Sequence, residues 1–162
     1  MIVVLNSSCL IGLSRIKKLI LLEELFGKVF VSQEVYNDIV IKGKSRPGAK
    51  EVEKARGKWI EVKSPKDKLA VQVLLTGLDP GEAETIVLVR EMDADFVIID
   101  EEKGASVAIV TGLRVIGTVG ILLLASKVGK LDNLKDAMDQ LRKNKFRLSD
   151  EIYQRVLEKQ KR

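Results

Sequence analysis

The sequence predicts an α/β protein: a central parallel sheet covered by helices on both faces. Three observations carry this expectation. Five short apolar runs alternate with helical segments along the chain, the pattern that feeds a parallel sheet. One of them, Phe96-Val97-Ile98-Ile99, is continuously apolar, which suits a strand buried on both faces. That strand runs straight into Asp100, Glu101 and Glu102, and open α/β sheets place their ligands at the carboxyl ends of strands.

The elements follow in order. Ile2–Leu5 is the first strand. Ser7 and Ser8 are candidate N-caps for a helix from Cys9 to about Lys17, and a second helix runs from about Leu19 to Phe26, closed by Gly27. Val29–Val31 reads as a strand, and Ser32 caps a helix from Gln33 to about Lys42. Gly43–Gly48 is the clearest loop, with Pro47 suited to open a short helix ending near Arg56. Trp59–Val62 alternates as a strand does, and a helix from about Lys66 to Leu75 precedes the break Gly77–Gly81. The next helix, Gly81 to about Asp93, leads to the Phe96–Ile99 strand. A helix from about Glu101 to Thr111 ends at Gly112, a left-handed C-cap. Arg114–Ile116 is the last strand. Thr118 caps an apolar helix reaching about Val128, and helices near Asn133–Lys143 and Ser149–Lys159 complete a single domain, residues 133–162 being its helical extension. The helix Thr118–Val128 is apolar around most of its circumference, which suits deep burial or a dimer face.

Composition narrows the chemistry. The 162 residues contain no histidine and one cysteine, so acid–base or metal chemistry falls mainly on carboxylates, and oxygen donors favour Mg²⁺ or Mn²⁺ over Zn²⁺. Cys9 excludes an internal disulfide and fits a reducing cytoplasm; its apolar neighbours mark it as a small buried hydrophobe. No apolar run reaches the roughly 18 residues of a spanning helix, and no charged-then-apolar leader opens the chain. The formal charge of +5 is unevenly spread: residues 42–68 carry +6, residues 127–162 carry +5, and the rest carries −6. Such a layout suits a polyanion drawn toward an acidic centre, or simply two solvated lysine-rich surfaces.

Four stations offer donors for one acidic site. They are Asn6 at the end of the first strand, Asp38 with Glu34 one turn before it, the pair Glu82 and Glu84, and Asp100 with Glu101. Asp38 and Glu34 also read as ordinary solvent-facing helix charges. Asp79-Pro80-Gly81-Glu82 matches a capping box, which gives Glu82 a structural role of its own. Glu84 lies beyond the capping turn. Asp100 is the hardest to explain structurally, because a carboxylate ending a buried strand is costly unless paired or bound to a metal. Glu102 is placed to face solvent or support the following helix.

These residues carry a family resemblance. The opening Ile2-Val-Val-Leu-Asn6-Ser7-Ser8-Cys-Leu-Ile resembles that of PIN domains, in which an Asp is followed by Thr/Ser, Ser and an apolar run. Val35-Tyr-Asn-Asp38-Ile, Gly81-Glu82-Ala-Glu84-Thr-Ile and Ile98-Ile-Asp100-Glu101 resemble the later acidic positions. Gly117-Thr118-Val-Gly120-Ile-Leu and Phe146-Arg-Leu-Ser149-Asp-Glu-Ile-Tyr153 are similar to a prokaryotic, toxin-like PIN subfamily. The resemblance covers nearly the whole chain. It implies a three-layer sandwich with strand order 3-2-1-4-5 and a cytoplasmic, metal-dependent ribonuclease using one or two Mg²⁺ or Mn²⁺ ions. It implies Asp38, Glu84 and Asp100 as the leading ligands, with Glu82 and Glu101 as alternatives and Asn6 at the first position. It implies that the Ser7 hydroxyl orients a ligand or a water. It also implies a VapC-like toxin of a VapBC-like pair, homodimeric and silenced by an antitoxin protein. RNA would be gripped by its phosphates, since 4% aromatic content offers little stacking surface, and Lys42, Lys44 and Arg46 are the chosen contacts.

One position departs from the pattern. Asn6 stands where most PIN domains carry Asp: the shape is kept and the negative charge is lost. This leaves a second reading open, a PIN-like module that binds RNA or a protein partner without cutting. A receiver-like or phosphatase-like domain is a distant third, because the Arg114–Gly117 strand lacks the lysine that such a site would want.

Overall fold

A computed structural model describes residues 1–162. Five strands, β1 (Val3–Leu5), β2 (Val29–Ser32), β3 (Ile60–Lys63), β4 (Phe96–Ile98) and β5 (Val115–Ile116), form one sheet in the order β3-β2-β1-β4-β5. All four pairings are parallel, with Val4 opposite Phe30 on one side and Val97 on the other. This is the order that the resemblance implied. The chain leaves β1 toward β2 and later returns to its other side at β4, so the crevice at the carboxyl ends of β1 and β4 is the topological switch point.

Ten helices flank the sheet: α1 (Ser7–Arg15), α2 (Ile20–Phe26), α3 (Gln33–Tyr36), α4 (Ala49–Ala55), α5 (Lys68–Leu74), α6 (Pro80–Glu91), α7 (Glu102–Val110), α8 (Thr118–Lys127), α9 (Leu134–Lys143) and α10 (Asp150–Gln160). Strand alternation sorts the core into two layers. Val3, Leu5 and Ile98 join a cluster of 30 buried residues with α1, α2, α8, α9 and α10, whereas Val4, Val97 and Ile99 join a cluster of 9 with α6 and α7. The second layer is thin, so α5 has no buried residue, and Leu69, Val73, Ile109 and Val110 stay largely exposed on α5 and α7. On the thicker side α8 is buried through Val119, Ile121, Leu122 and Ala125, packed on α1, α9 and α10. Each fully buried aliphatic side chain there contributes about 1.5–3 kcal/mol.

Three local readings change. The segment Gln33–Lys42 is not one α-helix: after Tyr36 it widens into a π-helical turn, Asn37–Ile41, with the Lys42 N–H returning to the Asn37 carbonyl at 2.8 Å. Ser7 and Ser8 do not cap α1. Asn6 holds the cap position without a capping bond, because its amide is turned to the sheet edge. Thr118 is the first residue of α8 rather than its cap, and its hydroxyl is directed elsewhere. Gly112 does take a left-handed conformation after α7, with φ of 85°. No helix is long and apolar enough to cross a membrane.

Candidate active site

β1 delivers Asn6 to the crevice, its backbone N–H tied to the Ile98 carbonyl at 2.9 Å. The side chain is only 3% exposed, and its Nδ2 donates to Glu101 Oε2 at 3.2 Å. Its Oδ1 is buried with no hydrogen-bond partner. An orphaned buried carbonyl oxygen costs stability unless something electropositive reaches it.

Asp100, just past β4, is held by three donors. The Ser8 hydroxyl donates at 2.9 Å, the Thr118 N–H at 2.7 Å, and the Thr118 hydroxyl donates as well. The start of α8 approaches so closely that a Cβ at Gly117 would lie 3.0 Å from Asp100 Oδ1 and press on the carboxylate. Cys9 sits behind this group, fully buried; burial and then the charge of Asp100 push its thiol well above the usual range, so it is no nucleophile.

Glu82 belongs to a completed capping box: the Glu82 N–H donates to Asp79 Oδ1 at 2.8 Å, and the Asp79 N–H donates to Glu82 Oε1 at 3.1 Å. Burial pushes its carboxyl above the ordinary value of 4.5; the Asp79 N–H offsets part of this, and the charges of Asp79 and Glu101 add to it. Between the ordinary and the raised value the folded chain keeps a proton that the unfolded chain has released, so stability falls as pH rises through that window. Glu82→Gln keeps an oxygen for the Asp79 N–H and removes the ionisation. Its melting temperature is expected to exceed the parent's at about pH 7.5 and to lose that advantage near pH 4, in melts without divalent ions. An equal difference at both values would refute this.

The remaining stations lie along α3 and α6. Glu84 Oε1 accepts the Glu34 N–H at 3.1 Å, clamping the start of α3 to α6. Asp38, in the π-helical turn, pairs with Lys42 at 3.4 Å, and one of its oxygens lies 3.3 Å from the Cβ position of Gly81, beside the start of α6. The structure thus joins Asn6, Glu101 and Glu82 in one group and sets Asp100 next to it on Ser8 and Thr118. Asp38 and Glu84 flank it on their own partners. Ser7 makes no side-chain hydrogen bond, and it is Ser8 that orients Asp100. Lys42, Lys44 and Arg46 are exposed on the loop that leaves Asp38. Ser8 and Thr118 had no reading as Asp100 partners in the sequence. The nearest signal was the placement of Ser8 two residues after Asn6 and of Thr118 two residues after the last strand.

The donors suit a hard divalent cation in kind: all are oxygens, and Asn6 Oδ1 offers an unused lone pair. They are not gathered into a ready cage of three acids. Were an ion bound at the switch point, Asn6, Asp100 and Glu101 would be its candidate donors, with Glu82 behind Glu101.

The parallel sheet in this order, with acids at its switch point, is an open α/β fold with its candidate site where such folds bind ligands. The family model DUF3368, described as a PIN domain, matches residues 2–162, and the chain belongs to that family. PIN domains are generally nucleases and typically use divalent metal ions. A search of curated proteins gives no match.

Proposed function

We propose that the protein is a Mg²⁺- or Mn²⁺-dependent endoribonuclease. The observation that carries this reading is Asp100, fixed by Ser8 and Thr118 at the switch point beside an orphaned Asn6 oxygen. When bound, the ion supplies charge neutralisation at the scissile phosphate and acidifies a water. The chain's own part is positional. Asp100 and Glu101 hold negative charge at the crevice, Ser8 and Thr118 restrict Asp100 to one orientation, and Asn6 adds a neutral oxygen. Glu82 keeps a proton longer than an ordinary carboxyl, which relieves its repulsion with Glu101. The test is incubation of single-stranded RNA with the full chain and Mn²⁺. Metal-dependent internal cleavage supports the reading, and intact RNA refutes it.

Grip on the substrate is assigned to the basic loop. Lys42, Lys44 and Arg46 lead from Asp38 outward, and no aromatic platform lies between them. Replacing all three with Ala is expected to weaken RNA binding and to flatten the slope of log K against log salt by about 2. An unchanged slope would place the phosphates elsewhere.

The second reading rests on Asn6. With a neutral residue at that position, the protein binds RNA or a protein partner without cutting it, so binding persists where no metal-dependent cleavage appears. A toxin role in a VapBC-like pair is the finer form of the first reading. It calls for a neighbouring reading frame whose product binds this chain and stops cleavage; a neighbour that does neither removes it.

For the homodimer, the exposed apolar residues of α5 and α7 are the proposed contact. Leu69 is 72% exposed and Val110 85%. Leu69→Glu combined with Val110→Glu is expected to turn a dimer into a folded monomer by light scattering. A parent chain that is already monomeric would remove the proposal.

A further inference from the structure

An open surface pocket lies at the opposite end of the sheet from the acids, and nothing in the nuclease reading uses it. It has a volume of about 440 Å³, within the range of small-ligand pockets. Leu19, Ile20 and Trp59 give it an apolar floor, and Trp59 immediately precedes β3, at the amino ends of the strands. Three lysines, Lys17, Lys54 and Lys58, stand at its rim, and none of them belongs to an ion pair. Lys17 holds a left-handed conformation, φ 58°, a strained choice for a side-chain-bearing residue. The lining also includes Glu51, likewise unpaired, and Ser14, whose hydroxyl is buried without a partner.

A surface for bulk polyanion would not need an apolar floor, and a purely apolar pocket would not need three free ammonium groups. The combination asks for one molecule with a flat apolar part, hydroxyls and several negative charges. We propose that this cavity binds a nucleoside carrying two or more phosphates. The base lies on Trp59 and Ile20, Glu51 accepts hydrogen bonds from the ribose hydroxyls, and the three lysines neutralise the phosphates. The site is separate from the carboxylate crevice, since parallel strands put their amino and carboxyl ends on opposite edges.

Trp59 is the only tryptophan, so its fluorescence reports on this cavity alone. The full chain is titrated with ADP, adenosine and inorganic tripolyphosphate. ADP is expected to change the emission saturably, with the other two at least about tenfold weaker. Lys54→Glu with Lys58→Glu, both exposed positions, should weaken ADP about tenfold or more and leave adenosine unaffected. Glu51→Gln should reduce the preference for ADP over its dideoxyribose analogue, and Asp100→Asn should change nothing. A 5′-triphosphorylated RNA trinucleotide binding more tightly than ADP assigns the source to an RNA end, whereas weaker binding assigns it to free nucleotide. The proposal fails if millimolar ADP gives no change, if tripolyphosphate matches ADP, or if the lysine variant binds as the parent does.

Discussion

Asn6→Asp is expected to make the stability of this protein depend on divalent metal. The side chain is 3% exposed and faces the Glu101 carboxylate, to which its amide now donates at 3.2 Å. An Asp there loses the donated hydrogen and places a second negative charge against Glu101. An uncompensated buried charge costs about 3–5 kcal/mol, and at roughly 2–4 °C per kcal/mol for a chain of this size the melting point should fall by roughly 10 °C. Mn²⁺ reverses the sign. An ion held at a hundred times its dissociation constant returns about 2.7 kcal/mol, so the variant should gain far more from metal than the parent does. Lowering the pH should also rescue the metal-free variant, because protonation removes the repulsion. Thermal melts with and without Mn²⁺ decide the matter. A variant that melts with the parent and ignores metal would show that Asn6 does not face an ion site. In RNA cleavage the same substitution is expected to raise the metal-dependent rate, since it restores a charge to the donor set.

Asp100→Asn is expected to lower metal-dependent cleavage by about two orders of magnitude or more while the fold survives. The argument turns on what the hydrogen bonds can tolerate. The Thr118 N–H can still be accepted by the amide oxygen. The hydroxyls of Ser8 and Thr118 now donate to Asp100 Oδ2, and each can rotate to accept from an amide nitrogen instead. Shape and partners are kept while the negative charge is lost. Cleavage rates together with circular dichroism test this; a folded variant that cuts at the parental rate would exclude Asp100 from the chemistry. The two substitutions act on adjacent strands in opposite directions, and each serves as the control for the other.

Much of the fold was legible because it is written locally. Continuous apolar character in Phe96–Ile99, the capping residue Ser32 and the Asp79–Glu82 box all act within a few residues, and the structure shows each of them. The burial of Cys9 followed from composition in the same way, whereas composition left α8 open between burial and a dimer face, and packing buried most of it. The candidate site was legible only as an inventory. That acids and an amide would collect at the ends of β1 and β4 follows from topology, but their hydrogen bonds join residues far apart. Asn6 meets Glu101 across 95 positions, and Ser8 meets Asp100 across 92. No spacing rule reaches that far. The π-helical turn at Asn37–Ile41 was equally hidden, since its residues read as ordinary helix.

The sequence by itself determined the α/β class, the oxygen-only donor chemistry that follows from having no histidine, and the loss of one charge at Asn6. These depend on residue type and short-range pattern, which no packing can change. Only the tertiary structure decided what each donor does. It left Asn6 Oδ1 without a partner, gave Asp100 to Ser8 and Thr118, set Glu82 against Glu101, and spent Glu84 on the start of α3. The physical reason is that a carboxylate's role is set by which donors and charges surround it, and in a parallel sheet those neighbours arrive from distant crossovers.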